Sequence, residues 1–251
     1  FKIGIALLIF IGLIFVLFCM VLIMPSEEYE TINYDIPNMR DYYTHIKGNG
    51  EDKVTLMVYM VGSDLESDGG AASEDIAEMA AANADNINIT LQTGGAAAWE
   101  NASISDGKTE RHIIKNGELQ NVENLGETQM TSPNTLTDFI KWSASNYPAD
   151  RYELVLWNHG GGTALGFGYD EMYPDDMLSL SQIGNALSDS GIKFDIVGFD
   201  ACLMGTIETA YMLEPYADYL VASEEYEPGT GWYYSEWLKN LSDNTSMSTV
   251  E

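Results

Sequence analysis

Residues Val54-Thr55-Leu56-Met57-Val58-Tyr59-Met60-Val61 form a nearly unbroken apolar run that stops at Gly62-Ser63-Asp64. A strand with one wet face would alternate apolar and polar residues. This one does not, so it reads as a central strand, covered above and below. Further β-favouring runs follow at Ile87 to Thr93, at Leu154 to Trp157, at Phe194 to Phe199 and at Tyr219 to Ala222. Helical patterns separate them. Ser73 is a candidate cap, with Glu74 and Asp75 in the first turn and Ile76, Met79, Ala80 and Asn83 at helical spacing. Ser132-Pro133 opens a helix whose inner face is Leu136, Phe139, Ile140 and Ser143, and Leu180, Ile183, Gly184 and Leu187 define another, closed by Gly191. Strands alternating with helices predict an α/β fold: a mostly parallel, doubly wound sheet with helices on both faces. Asn116-Gly117 between the strand-like arms of Arg111 to Gln120 predicts a hairpin, placed as an excursion from the main sheet.

Ile3 to Met24 is apolar without a charge, twenty-two residues that as a helix would reach about 33 Å. Phe18, Cys19 and Met20 offer no small-residue cleavage site, so residues 3–24 are expected to be an uncleaved transmembrane helix. Lys2 precedes the span and mainly carboxylates follow it, which places the rest outside the cell. Residues 1–24 are thus an expected anchor, 25–52 a linker or loosely docked stalk containing Pro25, Pro37, Gly48 and Gly50, and 53–251 the folded domain. The chain neither starts with Met nor ends on an obvious terminal element, and both ends are expected to be cut.

Lys+Arg 11 against Asp+Glu 39 gives a net charge of -28, which argues against nucleic acid as a partner. The excess of carboxylates has two readings, a solvated surface or a site for basic substrates. Of the two cysteines, Cys19 lies in the apolar span, so Cys202 has no partner in the folded domain. It is either a small buried hydrophobe or a reactive thiol.

Two strand ends share one construction. Leu154-Val155-Leu156-Trp157-Asn158-His159-Gly160-Gly161-Gly162 and Asp195-Ile196-Val197-Gly198-Phe199-Asp200-Ala201-Cys202-Leu203-Met204-Gly205 each run from apolar residues to a reactive side chain and then to small ones. Open α/β sheets bind ligands beyond the carboxyl ends of their strands, so His159 and Cys202 are a candidate base and nucleophile. A helix carrying Leu203, Ile207 and Tyr211 is expected to begin at or beside Cys202, where its N-terminus would favour a thiolate. The glycines after His159 let backbone N–H groups approach a ligand, and with the Cys202 N–H they could hold an oxyanion. Asp200 is a candidate helix cap, and Glu224 and Glu225 lie past the fifth strand at the same sheet edge, where they could attract a basic side chain.

Together, Trp157 to Gly162, Gly198 to Met204 and Ala222-Ser223-Glu224-Glu225-Tyr226-Glu227-Pro228-Gly229-Thr230-Gly231-Trp232 resemble the clostripain family of cysteine peptidases, relatives of caspases, gingipains and legumains. The resemblance covers roughly Val54 to Leu241. It implies a caspase-like fold, a Cys202–His159 dyad, an oxyanion hole from the N–H groups of Gly160 and Cys202, and cleavage after Arg or Lys. Asp200, Glu224 or Glu225 would then contact the basic side chain of the substrate. Calcium dependence occurs in the family, and the loop Asp170-Glu171-Met172-Tyr173-Pro174-Asp175-Asp176 has oxygen ligands to offer, without the spacing of an EF-hand. Some members cut themselves between the histidine and the cysteine, an interval where Lys193 is the one basic residue here.

The expected function is therefore a membrane-anchored, extracellular cysteine endopeptidase for peptides with basic residues. The rival is a tethered peptide-binding module of the same fold without turnover. An esterase reading of His159-Gly160-Gly161-Gly162 lacks the Gly-x-Ser-x-Gly elbow it requires. Protease added to intact cells should degrade the folded domain, and full protection would overturn the predicted topology.

Overall fold

A computed structural model describes residues 44–251 of the chain. The anchor expected at residues 3–24 and most of the stalk lie outside the described residues. Among those described, no helix is long and apolar enough to cross a membrane. The end of the stalk, residues 44–52, is tied to the folded domain. The Thr44 N–H donates to Asp218, the Lys47 and Gly48 N–H groups donate to Asp52, and Lys47 pairs with Asp150 at 2.7 Å.

Seven strands form one sheet in the order β4-β3-β2-β1-β5-β6-β7. They are β1 (Val54–Val61), β2 (Asn88–Gly94), β3 (Thr109–Lys115), β4 (Glu118–Gly126), β5 (Arg151–Trp157), β6 (Phe194–Asp200) and β7 (Ala217–Val221). β2, β1, β5, β6 and β7 run parallel, while β3 and β4 are antiparallel additions beyond β2. The hairpin is therefore not an excursion: it forms the outer two strands of the main sheet. Its turn residues Asn116 (φ 53°) and Gly117 (φ 73°) are both left-handed, as a two-residue turn between twisted strands requires.

The helices are α1 (Ser63–Ser67), α2 (Ala71–Ala81), α3 (Pro133–Asn146), α4 (Gly162–Leu165), α5 (Leu180–Ser190), α6 (Ile207–Leu213) and α7 (Tyr234–Asp243). All eight residues of β1 are buried, and alternation along the strand divides them between two cores. Leu56, Val58 and Met60 pack with Ile76 and Met79 of α2 and with Tyr234 and Leu238 of α7. On the opposite face Met57, Tyr59 and Val61 pack with Phe139 and Ile140 of α3 and Ile183 and Leu187 of α5. This is the doubly wound arrangement expected from a strand with no polar face.

The inner face of α3 is Leu136, Phe139, Ile140 and Ser143, the set its periodicity predicts. α5 starts with a Ser179–Gln182 capping box and ends at left-handed Gly191. α2 differs at its start. It begins at Ala71 after left-handed Gly70, and Ser73 donates its hydroxyl to Glu66 rather than capping the helix.

One ion pair ties the far end of the sheet. Arg151, the first residue of β5, and Asp195, the second of β6, are both buried and meet at 2.6 Å, while Arg151 Nη1 also donates to the carbonyls of Thr245 and Met247. Removing one partner of such a pair strands the other. Arg151→Ala should therefore cost about 3–5 kcal/mol of folding stability in a denaturant titration, whereas a loss within about 0.5 kcal/mol, typical of surface changes, would show that the pair is not what holds the 244–251 segment.

Candidate active site

β1, β5 and β6 are parallel neighbours in a shared register: Met60 lies beside Trp157, and Trp157 beside Asp200. Two residues beyond Trp157 comes His159, and two beyond Asp200 comes Cys202. The strand ends are held together by the Asn158 N–H, which donates to the Asp200 carbonyl at 3.2 Å. Gly160 presses against the backbone of Cys202. A Cβ there would run into the Cys202 carbonyl oxygen and stand 2.9 Å from Met204 Cγ, so the residue after the histidine has to be glycine. Gly160 also faces Phe167 in a short bridge closed by the Gly161 and Gly168 N–H groups, which leaves its own N–H out of that pairing.

Asn158 is buried and supports the corner that follows β1. Its Nδ2 donates to the Val61 carbonyl at 2.5 Å and to Ser63 Oγ at 2.8 Å, and its Oδ1 accepts from the Tyr169 N–H at 2.5 Å. Ser63 is buried with φ 52°, a left-handed conformation that costs a non-glycine residue about 1 kcal/mol or more. The side-chain bonds to Asn158 and to the Leu65 N–H offset that cost. The corner delivers Asp64, whose Oδ1 lies 2.9 Å from His159 Nε2. Partial burial works to raise the Asp64 carboxyl, yet the hydrogen bond and charge of His159, together with bonds from Ser63 and the Asp64 backbone, hold the group below its ordinary value.

Cys202 sits in a turn. Leu203 is left-handed (φ 63°), and its N–H donates to the Glu225 carbonyl at 3.0 Å, while the Gly205 N–H donates to Ser223 at 2.7 Å. The helix expected at Cys202 starts five residues later, at Ile207, with Thr206 as its cap. Its N-terminus is therefore not at the thiol, and the delay rotates the helix. Ile207 and Tyr211 are 78% and 81% exposed, and Thr209 and Leu213 point inward instead. What reaches the sulfur is the Glu227 N–H, which donates to Sγ at 3.3 Å.

His159 and Cys202 line a cavity of about 200 Å³. Glu74, Asp75, Asp200 and Glu227 contribute four carboxylates to its wall, which contains no Lys or Arg. Asp75 accepts from Trp157 Nε1 at 2.6 Å, and Asp200 Oδ2 accepts from Tyr234 Oη at 2.8 Å and from the Trp232 N–H at 3.3 Å. Glu227 Oε1 accepts from Trp232 Nε1 at 3.2 Å, and its Oε2 is buried without a partner. A wider, open depression of about 540 Å³ along α6 and β7 offers no nucleophile, and its Lys193 and Asp218 are paired at 3.0 Å.

The model of the Clostripain family matches residues 58–251. The chain belongs to that family. It is 31% identical over 225 residues to clostripain of Hathewaya histolytica, an alignment covering 75% of this chain and 42% of that protein. It superposes on a secreted C11 cysteine protease of Bacteroides thetaiotaomicron, solved with an irreversible peptide inhibitor, with a TM-score of 0.63 and 24% identity over 77% of this chain and 56% of that one. An inactive zymogen C11 protease of Parabacteroides distasonis aligns with a TM-score of 0.57 and 25% identity, over 75% and 53% of the two chains. The chain thus spans about half the length of the relatives it matches.

In this clostripain-family chain, His159, Gly160, Asp200 and Cys202 come together, while Glu224 and Glu225 do not join them. Both glutamates are exposed and outside the cavity lining. Residue reasoning passed over Asp75 and Glu227 there, and Asp64 beside the histidine. Asp64 had a visible signal, because like His159 and Cys202 it is a side chain capable of proton chemistry placed just past the end of an apolar strand. Asp170 accepts from the Met130 and Met172 N–H groups, and Glu171 from Ser67 and the Ala97 N–H. Among the described residues no group of three or more His, Cys, Asp or Glu could hold a metal ion.

The acidic wall costs stability when empty. Burial, against the Trp157 bond and with Asp200, Glu78 and Glu74 nearby, pushes the Asp75 carboxyl up to about 8. Burial likewise raises Asp200 to about 7, against the bonds from Tyr234 and Trp232, with Glu227 adding to the rise. In the unfolded chain both ionise near the ordinary value of about 4. Between there and the folded values the native state holds protons that the unfolded chain has lost, so these groups lower stability as pH rises. The unfolding midpoint should fall from about pH 4 to about pH 8 less steeply in Asp75→Asn than in the parent protein. An identical slope in the two would refute the assignment.

Proposed function

We propose that the chain is the peptidase portion of a cysteine endopeptidase that cleaves after Arg or Lys through an acyl-enzyme. The observation that carries this reading is the cavity itself. Its mouth has a thiol and an imidazole, and its wall has carboxylates with no protein cation among them. A buried acidic wall is unfavourable until a cation neutralises it, so a guanidinium or ammonium group entering it gains charge-assisted hydrogen bonds. Asp200 is the carboxylate best placed for that role, because it lies two residues before the nucleophile and is held rigidly by Tyr234 and Trp232.

The chemistry follows from the same geometry. His159 takes the thiol proton, the thiolate attacks the scissile carbonyl, and the oxyanion is held by the N–H groups of Gly160 and Cys202. The imidazolium then protonates the leaving amine, and water resolves the thioester with His159 again as base. Peptides or proteins with accessible basic residues are the substrates, and residues 3–24 would hold the enzyme at the outer face of a cell membrane. Self-cleavage between His159 and Cys202 is disfavoured: Lys193 is only 18% exposed, is paired with Asp218, and immediately precedes β6.

An arginyl-amide reporter peptide tests the whole reading. Cys202→Ala should abolish its hydrolysis. Asp200→Asn should lower kcat/KM roughly 10- to 100-fold on that reporter, the worth of one charged hydrogen bond, while the already slow turnover of a neutral counterpart changes little. Retained turnover in Cys202→Ala would refute the mechanism, and equal losses on both reporters would refute the role of Asp200. A parent protein whose Cys202 reacts with an arginyl covalent inhibitor no faster than a free thiol would be a binding module instead.

A further inference from the structure

Three neighbouring parallel strands each deliver one functional side chain to the same edge of the sheet: Asp64 after β1, His159 after β5 and Cys202 after β6. We infer that Asp64 is a positioning residue that completes a Cys202–His159–Asp64 relay. The inference rests on the peptidase reading for its meaning and on the geometry of Asp64 for its support.

An ionised carboxylate can only accept hydrogen bonds, so at 2.9 Å from Asp64 Oδ1 the Nε2 atom of His159 is the donor. In the neutral imidazole the lone pair is then on Nδ1. That fixes which nitrogen does the chemistry. The S–H bond of Cys202 breaks as the Nδ1–H bond forms, and the thiolate electron pair makes the C–S bond of the acyl-enzyme. The Nδ1 proton then leaves on the departing amine. Throughout the cycle the Nε2 proton stays in its bond to Asp64. A histidine without that bond can rotate or adopt the other tautomer, in which Nδ1 already carries a proton and cannot take the thiol's.

The placement of Asp64 is built rather than incidental. Gly62 is pinned, because its N–H donates to the Gly94 carbonyl at 2.7 Å and a Cβ there would meet Ala96 and Trp99. Ser63 is held in the left-handed region by Asn158, the residue immediately before the histidine. One buried asparagine therefore sets both the corner that carries Asp64 and the strand end that carries His159. Strained, over-determined backbone of this kind is characteristic of functional sites. The simpler account is that Asp64 is only an acidic residue in the first turn of α1, a five-residue helix where its charge would matter little.

Two substitutions separate these accounts in the full chain. Asp64→Ala should lower kcat roughly 10- to 100-fold, toward the smaller figure because the pair is half-exposed, with KM unchanged. It should slow alkylation of Cys202 by iodoacetamide, read from the mass of the peptide containing that residue. Asp64→Asn, whose amide oxygen can accept the same Nε2–H, should recover most of both rates. A helix-end role would instead lower the thermal midpoint in both variants and leave kcat and alkylation untouched. Parent-level kcat and alkylation in Asp64→Ala, or an Asn variant no better than Ala, would overturn the inference. If the parent protein cleaves no arginyl peptide, the substrate reading fails, and the alkylation rates still decide the role of Asp64.

Discussion

Everything at this site depends on the parallel register of β1, β5 and β6. A one-residue slip of any of these strands would turn its side chains to the opposite face, and His159 and Cys202 would no longer emerge side by side. The register is fixed from both ends. At one end the buried Arg151–Asp195 pair joins β5 to β6. At the other, Asn158 bonds to β1 through Val61 and to β6 through Asp200. Two apolar cores clamp the sheet between these ends, so the edge that carries His159 and Cys202 rests on buried, well-packed strands.

Glycine at 160 and the acidic wall represent two different departures from what stability alone would favour. Gly160 gives up side-chain packing so that two backbones can touch. The cluster of Asp75, Asp200 and Glu227 gives up more, since burial drives at least two of these carboxyls toward their protonated forms. Both departures have a common logic in the proposed chemistry. A close backbone approach places N–H groups near a developing oxyanion, and an uncompensated acidic wall reserves its best interactions for a cationic ligand.

The segment following β7 carries more of the site than its sequence suggests. Glu224 and Glu225 are the conspicuous carboxylates, yet they are exposed, and it is Glu227 that turns inward. Its amide reaches Cys202 Sγ and its carboxylate meets Trp232. The reason is the backbone course of residues 223–225, which run alongside Leu203 and Gly205 and so swing residue 227 over the thiol. No pattern of hydropathy encodes that path. The same turn delays α6 to Ile207: left-handed Leu203 and the bonds of residues 203 and 205 to residues 223–225 leave no helical backbone at Cys202.

Residue order alone determined the parts that depend on local periodicity and backbone chemistry. The unbroken apolar run of β1 required a covered sheet, the spacing of Leu136, Phe139, Ile140 and Ser143 set the face of α3, and Asn116-Gly117 set a hairpin turn. The two strand ends at His159 and Cys202 were legible because each puts a side chain capable of acyl-transfer chemistry just past an apolar run, at the edge where open α/β sheets bind ligands. Only the tertiary structure decided what depends on distance between remote segments. It placed the hairpin in the main sheet, separated Cys202 from the helix, and chose Asp75 and Glu227 over Glu224 and Glu225 as cavity walls. It also brought Asp64 to the far nitrogen of His159. Those choices are made by packing and by hydrogen bonds between residues 25 to 95 positions apart, and spacing along the sequence carries no record of them.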